Sequence, residues 1–453
     1  MTNTTRHEAE PGTHDGGATA HRVVIVGGGA AGLQLATTLG DRLGRRSRAA
    51  VTLVDAVRSH LWKPLLHAVA AGSLDPSEHE VNYLAQAYQH GFRYCFGEMI
   101  GLDRVRKEVL LASTIDEEGR QITPARAVGY DTLVIAIGSV TNDFGTPGAA
   151  DYAVPLETPK DAARFNRRLV NACLRAQTQE GPVGPGQLCV AVIGAGATGT
   201  ELAAELHHTI RQIVAHGLDR IDPERDIRIV LIEAAARVLP GLPERISEAT
   251  HRLLGKIGVD VCTGARVAEV TPDGLRLADG SFIASELVVW AAGVKAPAVQ
   301  GRLDGLEVNR INQLVVEPTL QTTRDSDVFA IGDCAACPRP DAPGPVPPRA
   351  QAAHQQAAHM VRQIEHRLRG RPLRPFIYRD FGSLVSLGRW STVGNLMGFM
   401  FGRGVFVEGL FARLMYRSLH LMHDCALSGA PRAVMGLFTR ALGRRTAPPV
   451  KLH

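Results

Sequence analysis

At 453 residues, 45% of them hydrophobic and 21% charged, the chain can bury two or three full cores, and bulk disorder is excluded. The net charge of +5 is a local matter: from Arg389 onward nine Arg and Lys stand against only Glu408 and Asp424, so the basicity belongs to the tail and a nucleic-acid-binding body is excluded. The seven cysteines are odd in number and scattered, which excludes a disulfide framework of the secreted kind.

Residues 1–20 carry no apolar core of a secretory signal and read as a disordered polar arm on a cytosolic protein. Next comes "VVIVGGGAAGLQLA" at 23–36, an apolar strand closing on G-x-G-x-x-G at Gly27, Gly29 and Gly32 and opening a helix. The first glycine makes the turn, the second lets a pyrophosphate approach the backbone, and the third lets helix and strand pack closely. The phosphate then sits on free N–H groups at the helix start. A second strand, "AAVTLVDA", ends at Asp55, placed to hydrogen-bond the ribose hydroxyls of an adenosine.

The same device returns in "AVIGAGATGTELAAE" at 191–205, with Gly194, Gly196 and Gly199, and "IRIVLIEA" ends at Glu233. The crossover between them is lengthened over about 206–226. One such fingerprint is weak; two, each followed by its acid, are far more specific. Two further buried runs follow, "ELVVWAAGV" and "SDVFAIGDCA", the latter ending at Gly332 and Asp333. The fold class is α/β with two Rossmann-like dinucleotide-binding domains: one split over 21–160 and 296–385, the other inserted at 161–295.

Cys334 and Cys337 form a C-x-x-C. It could be redox-active or half a metal site, but the chain has no second C-x-x-C or C-x-x-H, so the reading is two small residues in a loop and no metal. The Pro-rich stretch after it leads into "AQAAHQQAAHMVRQIEHRLRG", where Gln351, His354 and Gln355 share one helix face. Local pairing of these three is the alternative to a ligand site.

The segment 386–453 differs in character. In "VEGLFARLMYRSLHLMHD", Arg413, Arg417, His420 and Asp424 occupy one helical face, with Val407, Leu410, Phe411, Leu414, Leu421 and Met422 on the other. "AVMGLFTRALGRR" repeats the pattern, and neither reaches the 18 to 20 uncharged residues, roughly, that span a bilayer. An interfacial anchor on an anionic lipid surface is expected; packing on the protein's own core or on a sister subunit is the alternative, and a homodimer is left open.

Taken in order, "VVIVGGGAAGLQLA", "VTLVDAVRSHLWKPLLHAVAAGSLDP", "YDTLVIAIGSVTNDFGTPG", "AVIGAGATGTELAAELH", "EAAARVLP", "VVWAAGVKAP", "FAIGDCAACPRP", "PPRAQAAHQQA", "GSLVSLG" and "MHDCALSG" with its "KLH" end resemble the type II NADH:quinone oxidoreductases, single-chain NADH dehydrogenases that do not pump protons. The resemblance implies electron flow from NADH through FAD to membrane quinone, at the cytoplasmic face of the inner (plasma) membrane as a peripheral protein. It implies that Gly27, Gly29, Gly32 and Asp55 hold FAD with Asp333 at its ribityl and phosphate region, and that Gly194, Gly196, Gly199 and Glu233 hold NADH with Ala292 and Gly293 alongside. It places Gln351 and His354 on the quinone side of the flavin and Glu201 near the nicotinamide. Reduced flavin tends to carry negative charge, which a helix N-terminus stabilises, so the backbone near Ala353 at the start of "PPRAQAAHQQ" is the candidate to face the ring. Ala195, where many members have Gly, and the long crossover are the departures.

Hydride transfer between two stacked cofactors needs alignment and no acid, base or nucleophile from the chain. The disulfide reductases need a C-x4-C after the first unit, and residues 41–94 hold no cysteine. A sulfide:quinone reductase-like flavoprotein, which would have to use Cys334 and Cys337, and a non-catalytic flavin- or nucleotide-binding membrane protein stay open as alternatives.

Overall fold

The computed structural model describes residues 20–443 except 341, 388–390, 397–404 and 409. The polar arm expected over 1–20 lies outside these residues apart from Ala20, as does the tail from 444 on.

The first sheet runs in the order Gln321–Thr322, Asp325–Ala330, Thr132–Ile135, Arg22–Val26, Ala50–Asp55, Arg93–Phe96. All its pairings are parallel except that of the edge strand Gln321–Thr322. Val23, Ile25, Leu53, Leu133 and Ile135 are fully buried, the unbroken apolar runs expected of parallel strands covered on both faces. Three helices follow its strands: α1 (Ala30–Leu39), α2 (Leu66–Ala71) and α3 (Tyr83–His90).

The second sheet is wholly parallel, in the order Ala153–Pro155, Leu287–Trp290, Cys189–Ile193, Arg228–Glu233, Val259–Thr263. Its strands all fall between Thr132–Ile135 and Asp325–Ala330 of the first sheet, so the chain leaves one sheet, builds the other and returns. Ala153–Pro155 joins this second sheet a few residues before the boundary expected at 161. With it come α4 (Ala149–Tyr152), α5 (Pro159–Thr178), α6 (Ala197–Ala215) and α7 (Glu244–Lys256). Helix α5 starts at a capping box in which the Thr158 and Asp161 side chains each take the other's backbone N–H.

At the crossing, Val140–Thr141 pairs antiparallel with Val294–Lys295. A shared apolar cluster joins the two units, with Trp62 and Leu66 of the first packed among Phe165, Leu202 and Leu206 of the second. Helix α8 (Ala350–Leu368) then lies on α1.

The C-terminal segment holds an element that sequence reading missed, a three-stranded antiparallel sheet of Gly382–Leu387, Ser391–Leu396 and Val405–Glu408. Two helices follow, α9 (Leu410–Ser428) and α10 (Ala430–Gly443), turning at Gly429 with φ of 77°. Among the described residues no helix is long and apolar enough to cross a membrane.

Helix α9 is docked on the body: Leu427 is buried in the first core, and the Gln86 side chain donates to its carbonyl at 2.6 Å. Of the expected polar face His420 turns to the body, while Met422 of the expected apolar face stays outward. His423 is 4% exposed, His420 meets the edge of Trp62, and Met422 is 66% exposed. The imidazoles turn inward because they find partners there, which satisfies buried polar groups.

Candidate functional site

The two glycine turns have the same geometry. Gly27 and Gly194 sit at φ of 102° and 101°, and each leans on the neighbouring strand end, so a Cβ would lie 2.4 Å from the Ala136 carbonyl oxygen or 2.7 Å from the Ala292 backbone. A Cβ on Gly32 or Gly199 would lie 1.8 or 1.9 Å from the carbonyl oxygen of the first glycine in its turn, so helix and strand pack as only glycine allows. Gly29 and Gly196, by contrast, have nothing within 4 Å where a Cβ would be. They are the N-caps of α1 and α6, and no side chain caps either helix. Each helix thus presents free N–H groups to an open space.

The acids obey the same symmetry. Asp55 accepts from the Gly28 N–H at 2.5 Å and from the Val57 N–H at 2.8 Å. Glu233 accepts from the Ala195 N–H at 2.8 Å and the Ala235 N–H at 2.9 Å. Both carboxylates therefore bridge the middle residue of their glycine turn and the residue two beyond themselves. Burial pushes the Asp55 pKa up, and its backbone hydrogen bonds act against this. Tyr83, which sequence reading did not single out, locks the first turn from the other side by donating to the Gly28 carbonyl at 2.8 Å.

A duplicated turn of this kind defines a superfamily more than an activity, and comparison with known proteins narrows it. The profile of the pyridine nucleotide-disulphide oxidoreductases matches residues 21–357. The type II NADH:quinone oxidoreductase of Haemophilus influenzae is 42% identical over 444 residues, 95% of this chain and 99% of that one. The chain belongs to the type II NADH:quinone oxidoreductases. A second member, NdhA of Mycobacterium tuberculosis, is 30% identical over 432 residues, covering 92% of this chain and 86% of that one. Among solved structures, NDH2 from Plasmodium falciparum in complex with NADH superposes with a TM-score of 0.79 at 19% identity over 95% of this chain and all of that one. The sulfide:quinone oxidoreductase of Aquifex aeolicus follows the same fold with a TM-score of 0.69 at 16% identity, over 90% of this chain and 92% of that one.

In this type II oxidoreductase the region between the two turns is built by the chain's return. Asp333 accepts from the Ser139 hydroxyl at 2.9 Å, and Lys63 donates to the Ser139 carbonyl at 2.7 Å. Burial raises the Asp333 pKa while Ser139 and Lys63 act to lower it. Helix α8 begins beside Gly332, whose N–H donates to the Gln356 side chain at 2.6 Å, and Ala353 is packed there at 7% exposure. Gly293, with φ of 66°, lies against the Phe144 ring and next to Ala292 on the second turn.

Cys334 and Cys337 are both fully buried and free. Cys334 donates to the Ile135 and Ile331 carbonyls, and burial pushes the two thiols up to about 11 and about 12. They are packed thiols, poor as thiolate nucleophiles or metal ligands. No group of three or more His, Cys, Asp or Glu among the described residues is arranged to hold a metal ion.

Glu201 is not a solvated helix-face carboxylate. It is 6% exposed, its Oε2 lies 3.4 Å from His67 Nδ1, and its Oε1 accepts from the Ser386 N–H at 2.9 Å. Gln351, which the resemblance sets on the quinone side, makes local pairs with the chain. Its oxygen accepts from Phe381 N–H at 3.0 Å, and its nitrogen donates to the Asp380 carboxylate and the Gly382 carbonyl. Gln355 grips the Arg379 backbone in the same way. A strand entering a sheet edge needs its backbone groups satisfied, and these two amides satisfy it.

His354 points elsewhere. Its Nδ1 bonds the Gln34 side-chain oxygen on α1, and its Nε2 lies 3.4 Å from His423 Nδ1. His423 Nε2 lies in turn 3.1 Å from His60 Nε2, and the His423 ring stacks on Trp62 at 5.0 Å between centroids. His60 and Trp62 stand in the "HLWKPLL" stretch, and the adjacency of His and Trp there was the available signal. His60 and His354 are both held down to about 4 by burial, and His423 to about 2 by burial and its imidazole neighbours.

Proposed function

We propose that the chain passes a hydride from NADH, held at the second turn, to FAD held at the first, and that two electrons then go to membrane quinone on the α8 side, with no proton pumped. The duplicated geometry carries this reading: two open, uncapped helix starts, each beside a carboxylate braced by two backbone N–H groups. FAD, when bound, supplies the two-electron store that lets a hydride donor and a quinone react in turn.

The chain's own residues do the positioning. At Gly29 and Gly196 the backbone is bare enough for a pyrophosphate to meet the N–H groups of α1 and α6. Asp55 and Glu233 spend one acceptor site per oxygen on the backbone and keep others for ribose hydroxyls. Asp333, polarised by Ser139 and Lys63, is the acceptor for the ribityl chain, and Ala353 is small enough for a flat ring to approach the start of α8. Ala292 and Gly293 line the nicotinamide side. Glu201, paired with His67, stands near the nicotinamide and holds the C-terminal sheet in place. His354 is the residue that hands a proton toward quinone, and Gln351 acts through the strand it grips.

The C-terminal helices complete the site at the membrane. Met422, Val434 and Met435 are 66%, 41% and 66% exposed, and together with the basic tail they suit an anionic lipid surface at the cytoplasmic face of the inner membrane.

The test is stopped-flow measurement of the two half-reactions. His354→Ala should leave flavin reduction by NADH near the wild-type rate and slow reoxidation by quinone about tenfold or more, the usual size of a general-acid contribution. Equal loss in both halves, or none in either, would make α8 a scaffold and not the quinone side of the site.

A further inference from the structure

Three imidazoles from three separate parts of the chain, His60 and His423 buried and His354 half-buried, are joined in one hydrogen-bonded row. His60 follows the strand Ala50–Asp55, His354 is the fifth residue of α8, and His423 lies in α9. The row ends at the Gln34 side-chain oxygen, and an amide oxygen only accepts. That end fixes the order of protons: His354 carries its proton on Nδ1 and accepts at Nε2, so His423 carries its proton on Nδ1 and accepts at Nε2, so His60 donates from Nε2. Every hydrogen in the row points the same way. His423, the middle ring, is 4% exposed, which keeps competing water away from the two hydrogen bonds it makes.

We propose that His60, His423 and His354 form a relay that supplies the proton quinone reduction takes from the medium, which makes α9 a working part of the enzyme. The proposal rests on the reading that His354 faces quinone. Reduction of quinone by NADH moves two electrons and one proton as hydride and needs one more proton. A quinone oxygen that replaces the Gln34 carbonyl as acceptor takes the Nδ1 proton of His354, so that N–H bond breaks as an O–H bond forms. His354 Nε2 takes the proton of His423 Nδ1, His423 Nε2 takes that of His60 Nε2, and His60 Nδ1 takes one from water. One proton enters, one leaves, and all three rings end neutral in their other tautomer, from which ring rotation restores the first. No ring need hold a resting charge, which suits a row whose burial disfavours one. Among the described residues the titratable groups that act on the row are its own members and His420 of α9.

The test uses the full-length flavoenzyme. His423→Gln keeps hydrogen-bonding capacity but cannot exchange protons between two nitrogens, and His60→Gln breaks the row at its outer end. Both should lower kcat with quinone about tenfold while the quinone KM stays within about twofold. Flavin reduction by NADH should be unchanged, and so should turnover with ferricyanide, which takes electrons and no proton. Added imidazole should restore quinone turnover in His423→Ala. Nitrogen-15 spectra of the resting protein should place the proton on Nδ1 in His354 and His423 and on Nε2 in His60. Normal quinone kcat in both glutamine variants, or a raised KM alone without imidazole rescue, would overturn the relay and leave His423 a docking residue. If His354→Ala is also normal with quinone, the reading beneath the relay has failed; if His354→Ala alone is slow, that reading stands and the relay does not.

Discussion

Glu201, in the helix of the second nucleotide turn, accepts a 2.9 Å hydrogen bond from the backbone of Ser386 in the C-terminal sheet. Val385 and Leu387, either side of it, are each 1% exposed against the second unit's core. A carboxylate on the helix of the second turn thus also seats the C-terminal sheet. Glu201→Gln keeps an acceptor for Ser386 and should melt within a few degrees of wild type. Glu201→Ala leaves the N–H unpaired beside a new cavity and should cost about 1–3 kcal/mol, read as a lower midpoint in denaturant. Equal midpoints for the two variants would contradict the role.

The open glycines should separate binding from folding. Gly29→Ala and Gly196→Ala place a methyl where the protein itself has nothing within 4 Å, so both should fold. Gly29→Ala should purify with its flavin content lowered at least about tenfold, and Gly196→Ala should keep flavin and raise the NADH KM by a similar factor, each about 1.4 kcal/mol. Flavin content and KM check this. Gly32→Ala, which drives a methyl onto the Gly27 carbonyl, should fail to fold stably.

Nucleotide choice follows from Glu233. A 2′-phosphate would have to sit against a carboxylate already held by two N–H groups, and the nearby Arg237 is directed to the Pro240 carbonyl at 3.0 Å. NADH should be preferred to NADPH by kcat/KM, and Glu233→Gln should narrow the preference by about tenfold, a charge term of about 1.4 kcal/mol. An unchanged ratio would remove Glu233 from the ribose site.

The histidine row predicts a pH dependence of stability. His60 and His354 are held to about 4 in the folded protein and titrate near 6.5 when unfolded. Below 6.5 the unfolded chain binds protons that the folded one refuses, so stability present above that pH is lost as pH falls toward 4, by up to about 1.4 kcal/mol per unit for each ring. Thermal melting between pH 7 and 4 should fall more steeply for wild type than for His60→Asn. Parallel curves would mean the ring is not held neutral.

The tail reading is tested by truncation at Val405 with liposome sedimentation. The full chain should pellet with anionic vesicles and release as salt rises, at about 1 kcal/mol per basic residue near the surface. The truncated protein should stay in the supernatant, reduce flavin with NADH and lose quinone activity.

What the sequence made legible is what short-range chemistry encodes. A glycine turn, its strand and its acid lie close in the chain, so both fingerprints, Asp55 and Glu233 could be read directly. The histidine row could not be: His60 and His423 are 363 positions apart, and no periodicity links them. The first strand of the C-terminal sheet was missed because Leu384 and Val385 stand side by side and break the alternation with Ser386, and a run as short as Gly382–Leu387 does not tell strand from helix by its period. Gln351 and Gln355 sit on one face as the helical period requires, but that period says nothing of the strand that comes to occupy them.

The central claim is that one chain joins two nucleotide sites so that electrons go from NADH through a held flavin to quinone. Anaerobic titration of the purified flavoprotein tests it most directly, with NADH added first and a soluble quinone second. One equivalent of NADH should bleach the flavin absorbance, and one equivalent of quinone should restore it. A flavin that NADH leaves oxidised while sulfide bleaches it, or one that NADH bleaches and quinone cannot restore, would contradict the account.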